Sequence, residues 1–262
     1  LIKNSYIRVI KLKNILLEGR YDRLVGTINK AVFKSMRSAI AGSGTQEKPK
    51  KYKGYEVRKD PIPTQNLSDM FEAETRTIYV GEFADSKAEM DVDVELKLAV
   101  SEDGVKPGKF YIDGNAEGGD FPSIEIMIGL HPEDAESGKV FSKIQPVLRD
   151  LVRHEIEHVT HGRGSSGAKY SKIMRGDLAM RKKIRSNPEL YYKYFLLPKE
   201  VDANIHGLYS KAKTIKQPYQ KVVDDYLDSL VDDGIITDKN RKEIYNKWKK
   251  RIPKIGGLPT LK

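Results

Sequence analysis

Three features of the sequence predict an α+β fold. Apolar residues recur at helical spacing in the first forty positions, alternate at period two through the middle, and return to helical spacing towards the end. Helix, then antiparallel-looking strands, then helices is the order of an α+β chain rather than an alternating α/β one. With 262 residues, 39% of them hydrophobic, the chain can bury a sizeable core.

The elements follow in order. Leu24, Val25, Ile28, Ala31, Val32, Met36 and Ile40 fall at three- and four-residue steps and predict a helix. Ala41-Gly-Ser-Gly-Thr and Gln-Glu-Lys-Pro-Lys-Lys then have linker composition. Residues 1–54 are accordingly expected to form a helical arm and linker, the helix being either an arm or a cover on the core. Met90, Val92, Val94, Leu96, Leu98 and Val100 alternate with Asp91, Asp93, Glu95 and Lys97, as in a strand with one wet face. Ile78-Tyr-Val, Lys109-Phe-Tyr-Ile and Ile124-Glu-Ile-Met-Ile predict further strands. Glu102-Asp-Gly, Asp113-Gly-Asn and Gly118-Gly-Asp supply the expected turns. The acidic stretch from Asp113 to Asp120 lacks the ligand order of an EF-hand and reads as a hairpin.

After His131-Pro-Glu-Asp the pattern is helical. Ile144, Val147, Leu148, Leu151 and Val152 form one stripe, with Gly162 as a C-cap. Pro198–Ser210, Tyr219–Val231 and Asp238–Lys250 read as later helices, with Gly234 separating the last two. The expected division is a core domain over residues 55–215 and a basic helical extension over 216–262.

Composition narrows the chemistry. With no cysteine, disulfide frameworks, thiolate zinc sites and cysteine nucleophiles are excluded. Any metal must be held by His, Asp or Glu. No run of 18 apolar residues exists, so no membrane span is expected, and a soluble chain, cytoplasmic or virion-associated, is. The chain opens at Leu1, which leaves open a processed leader upstream. The net charge of +10 is uneven. Residues 1–60 hold 15 Lys/Arg against 5 Asp/Glu, whereas residues 61–140 hold 6 against 18. An acidic middle between basic flanks argues against a uniform nucleic-acid coat. The basic ends remain candidates for assembly partners. In the segment Lys239 to Lys254, docking of Ile244 and Trp248 on a core is favoured over nucleic-acid binding.

One constellation carries chemistry. His154-Glu155-Ile156-Glu157-His158 is an HExxH motif on the helix just described. Residues four apart on a helix lie about 40° apart in azimuth, so both imidazoles can reach one metal ion. Glu155 falls between that face and the core stripe, where its carboxylate can act on water at the metal. A catalytic zinc takes three protein ligands and keeps one open position. His161, Glu200, Asp202 and His206 are the candidates for the third. His161 lies about 10 Å along the axis from His154, too far to share the ion. Glu200 is preferred: Pro198 opens a helix whose first turn contains it, and Ala203 permits close approach. Asp202 projects about 200° away around that helix.

On these residues the chain resembles the zincin metallopeptidases, and within them the gluzincin-like branch, whose third ligand is a glutamate on a later helix. The matching residues are His154, Glu155, His158 and Glu200. The metzincin pattern would need a glycine at position 161 and a histidine at position 164, where the chain has His161 and Gly164. The thermolysin-like pattern would need an aspartate at position 204, where Asn204 stands, able to orient a histidine through its amide oxygen.

The resemblance implies a Zn2+-dependent endopeptidase acting on a peptide or protein substrate, with Glu155 as general base. It also implies a mostly antiparallel sheet over the HExxH helix, whose edge strand receives the substrate. Ser123–Gly129, with Ile124, Ile126 and Ile128, is the expected edge. His206, Tyr194, Asn204 and His161, with Tyr191, Tyr192 and Tyr209 nearby, are candidates for steadying the oxyanion or the ligands. The acidic middle, if it flanks the cleft, would favour Lys/Arg-rich peptides. Two other readings use the same motif. Lys11-Leu-Lys-Asn-Ile-Leu-Leu-Glu-Gly is faintly similar to the openings of tailed-phage virion proteins, which implies a structural protein with a retained metal site. A peptidoglycan-directed metallohydrolase would use the same zinc chemistry.

Overall fold

The computed structural model describes residues 21–41, 61–62, 75–86, 90–102, 105–118, 121–160, 177, 179–184, 186–255 and 257–262. The expected virion-like segment at Lys11, the expected C-cap Gly162 and the candidate ligand His161 lie outside these residues. The fold is α+β, and it divides into two compact units. A sheet unit spans Tyr21–Val159, and the described residues from Thr160 to Lys262 belong to a helical unit.

The sheet unit opens with helix α1, Asp22–Ile40. Leu24, Val25, Ile28, Val32 and Met36 on its apolar stripe are buried in the sheet core. The helix is thus a cover on the core, one of the two placements expected for it. An amphipathic stripe of five large side chains needs a surface to cover, and here strands β2 (Thr75–Asp85) and β3 (Met90–Val100) supply it.

Strands β1 (Pro61–Ile62), β4 (Phe110–Glu117) and β5 (Ser123–Leu130) complete one sheet in the order β1-β2-β3-β5-β4. All pairings are antiparallel except β3 with β5. Val92, Val94, Leu96 and Leu98 of β3 face the core beside Ile124, Ile126 and Ile128 of β5, as the alternation predicts. On the opposite face Glu95 stands level with Glu125, and Lys97 relieves that like-charge pair through a 2.5 Å contact with Glu125. Tyr79 on the same face donates to Asp93 at 2.6 Å.

Two sequence expectations fail in this sheet. Asp113-Gly-Asn is not a turn; it runs through β4, with Gly114 opposite Ile126. Nor is β5 an edge. It is hydrogen-bonded on both sides, and Ile124, Ile126 and Ile128 are buried. Among the described residues β4 is the edge on that side of the sheet.

His131 caps the short helix α2, Pro132–Ser137, through its ring nitrogen, and Gly138 ends it in the left-handed conformation at φ 65°. Helix α3, Phe141–Thr160, follows and carries the HExxH motif. It buries Ile144, Leu148, Val152, Ile156 and Val159 in the same core.

The helical unit contains a 3-10 helix, Pro188–Leu196, and helices α4 (Pro198–Ile215), α5 (Tyr219–Asp232) and α6 (Asp238–Ile255). Asn187 caps the 3-10 segment by accepting from the Glu189 amide at 3.0 Å. Lys216 ends α4 with φ 54°, and Gly234 takes φ 69° between α5 and α6. Val201, Ile205 and Leu208 of α4 share a core with Val223 and Leu227 of α5 and with Ile244 and Trp248 of α6. The expected boundary at residue 215 therefore cuts through one core. The lysines of that basic segment are exposed on α6 while its apolar row of Ile244, Trp248 and Ile252 is buried. Trp248 is fully buried and its indole donates to the Phe195 carbonyl at 3.1 Å. It offers no face for a nucleic-acid base. Among the described residues no helix is long and apolar enough to cross a membrane.

Candidate metal centre

Helix α3 presents its motif on the border between core and surface. The stripe of Leu148, Val152, Ile156 and Val159 fixes which face points inward. His154 and His158, four residues apart, sit together on a half-buried face beside it. Their Nε2 atoms are 3.0 Å apart, with the rings edge to face. Two nitrogens bound to one tetrahedral zinc at about 2.05 Å would be separated by about 3.3 Å. The pair thus has nearly the span of a chelate; a proton shared between the two rings would also bring them this close.

Glu155 is buried to 3% exposure. Its side chain runs beneath β4, where a Cβ placed on Gly114 would lie 3.1 Å from Glu155 Cγ and 3.2 Å from Oε1. The carboxylate thus rests against the backbone of the edge strand. Glu157, the other acid of the motif, is held by Arg153 at 2.7 Å, one helical turn away. Arg153 itself is buried and lies over the Tyr21 ring at 5.3 Å. That pairing leaves Glu155 as the acid of the motif that faces the strand edge. The Gly114 amide donates to Asp113 Oδ1 at 2.8 Å, and Tyr111 donates to the same carboxylate at 3.0 Å.

In the helical unit, Glu200 lies in the first turn of α4, as Pro198 predicts, and is fully buried. Arg181 donates to Glu200 Oε1 and lies 5.1 Å over the Tyr194 ring. Burial opposes the charge on Arg181, but attraction to Glu200 and Tyr194 outweighs it and holds the guanidinium above its ordinary pKa. A carboxylate has two oxygens, so a guanidinium on one is compatible with a metal bond through the other.

The neighbouring candidates are otherwise engaged. Asp202 faces away, as its azimuth predicts, and is gripped by Arg251 of α6, with one contact at 2.6 Å. Asn204 donates through its amide to the Glu200 carbonyl at 2.7 Å, and its oxygen accepts from Tyr226 at 3.4 Å. Tyr194 stacks on Tyr191 at 6.0 Å, and Tyr209 packs edge-on against Tyr219. His206 is half-buried on α4.

Sequence reasoning missed two residues here. Arg181 sits in a run of cations that gave no sign of a buried partner. Gly114 did leave a trace, as a glycine in the core-facing row between Ile112 and Ala116, a pattern that signals close approach of another chain segment.

No protein family, curated protein or solved structure matches the chain.

Proposed function

We propose that the chain is a zinc-dependent metallopeptidase of zincin type, with His154, His158 and Glu200 as the metal ligands and Glu155 as general base. The observation that carries the reading is the paired His154 and His158 nitrogens, with Glu155 buried next to them against an edge strand. Two imidazoles and a carboxylate are a donor set used by catalytic zinc, which leaves one position open. Zinc in such a site polarises a carbonyl and makes water acidic near neutral pH.

The protein's own groups do the rest. The Glu155 carboxylate takes a proton from the attacking water and returns it to the departing amine nitrogen. Its burial keeps bulk water from competing for that proton. Arg181 holds Glu200 by one oxygen, which limits the rotation of a ligand side chain. An extended peptide adds to the outer edge of β4, in place of the β5 edge expected from sequence, and reaches Glu155 where Gly114 crosses it. Asp113 and Glu117 project from the exposed row of β4, which favours Lys or Arg in a peptide lying there.

The test pairs metal content with cleavage of a mixed peptide library. Wild type should hold about one zinc per chain; His158→Ala and Glu200→Gln should lose it. Glu155→Gln should keep the zinc and lose cleavage by about 10²–10⁴-fold. Zinc without chelator-sensitive cleavage would turn the assignment to a structural metal site or a glycan substrate. No zinc in the wild type would end it.

A further inference from the structure

Gly114 occupies the core-facing row of β4, between Ile112 and Ala116, both of which pack on the sheet core. It pairs regularly with Ile126 and is not among the glycines with positive φ. Its backbone conformation is therefore open to any residue. A glycine inside a strand is also unfavourable, since it packs no side chain and orders a freer backbone. What the position does require is space. A Cβ there would meet Leu151 Cδ1 at 3.0 Å, Glu155 Cγ at 3.1 Å and Glu155 Oε1 at 3.2 Å. The volume that a side chain would fill is taken by helix α3, and in part by the proposed general base.

We propose that Gly114 is a positioning residue for Glu155: its missing side chain makes a notch in the edge strand that sets where the carboxylate rests. The inference builds on the catalytic reading of Glu155. The three atoms nearest to such a methyl group all belong to flexible side chains, and none to backbone. The strand and helix therefore stay in place while the side chains yield by a few tenths of an ångström. For Leu151 that shift is a packing adjustment. For Glu155 it moves the group that must meet water and leaving amine at hydrogen-bond distance, where small misplacements cost rate.

Gly114→Ala should keep its zinc and its fold, lower kcat by about tenfold, and leave KM within about twofold. Adding Leu151→Ala, which removes the other close contact, should not restore kcat. A melting cycle on wild type, Gly114→Ala, Glu155→Ala and the double variant reads the contact without turnover. The methyl group should lower Tm more beside Glu155 than beside alanine at position 155. The effect of alanine on the unfolded chain is common to both arms and cancels. Unchanged kcat in Gly114→Ala, recovery through Leu151→Ala, or additive Tm shifts would each overturn the notch. Because the cycle needs no activity, a chain that cleaves nothing would sink the peptidase reading while the Tm shifts still decide the contact.

Discussion

Glu155 and Glu200 are both buried on helices, the one at 3% exposure and the other at 0%. In the sheet unit, Glu155 lies against a glycine of an edge strand. In the helical unit, Glu200 is clasped by Arg181, and two residues on, Asp202 is clasped by Arg251. A guanidinium at hydrogen-bond distance favours the charged form of a carboxylate and fixes its orientation. That suits an anionic ligand, which must stay deprotonated. The two acids thus lie against different kinds of neighbour, one against a strand and one against a cation.

The comparison can be broken most forcefully at Trp248. Its ring fills the core that α4 shares with α5 and α6, and it donates to the Phe195 carbonyl. Trp248→Ala should cost about 3–5 kcal/mol. Hydrogen exchange should speed up in α4, and in α3 it should stay near the wild-type rate. Equal loosening of both helices would mean that the two cores do not act as separate cooperative units.

A smaller effect is expected at Arg181. Removing one partner of a buried ion pair leaves a stranded charge, and fully buried cases cost about 3–5 kcal/mol. Because the Arg181 side chain is 35% exposed and water can partly replace it, Arg181→Ala should cost about 2 kcal/mol. Adding Glu200→Gln should recover part of that loss, since the stranded group is then neutral. Urea melts of the single and double variants measure both; no recovery would show that Arg181 acts through packing on Tyr194.

The smallest effect belongs to the cations of α6. Lys247, Lys249 and Lys250 are exposed around the buried Trp248. Replacing all three with alanine should shift stability by no more than about 0.5 kcal/mol per site. Nucleic-acid retention at physiological salt should not change. A marked loss of retention would restore an interface role to this helix.

Most elements were legible because their periodicities are strong. The stripe from Leu24 to Met36, the alternation from Met90 to Leu98 and the HExxH helix lie where the pattern places them. The three later helices start where expected, but α4 and α6 run five residues further and α5 one. Asp113-Gly was misread because an aspartate–glycine pair is a strong turn signal locally. Here the glycine answers a demand from α3, which is close in space and about forty residues away in sequence. Of the site, the HExxH residues and the helical start before Glu200 could be read directly. Arg181 could not, since a surface cation and the partner of a buried acid look alike in a lysine- and arginine-rich run.

The amino-acid sequence by itself determined the period of each segment, the α+β order and the presence of two histidines and an acid on one helical turn. These are local properties, set by spacing along the chain and by side-chain type. Only the tertiary structure decided that β4 and not β5 borders the sheet, that α1 belongs to the sheet core, and that α4 shares its core with the C-terminal helices. Strand order and helix docking depend on which apolar surfaces meet, and residues far apart in the chain contribute to each surface. The surroundings of Glu155 and Glu200 are of that kind: a glycine in one case, an arginine in the other, each brought in by a different segment of the chain.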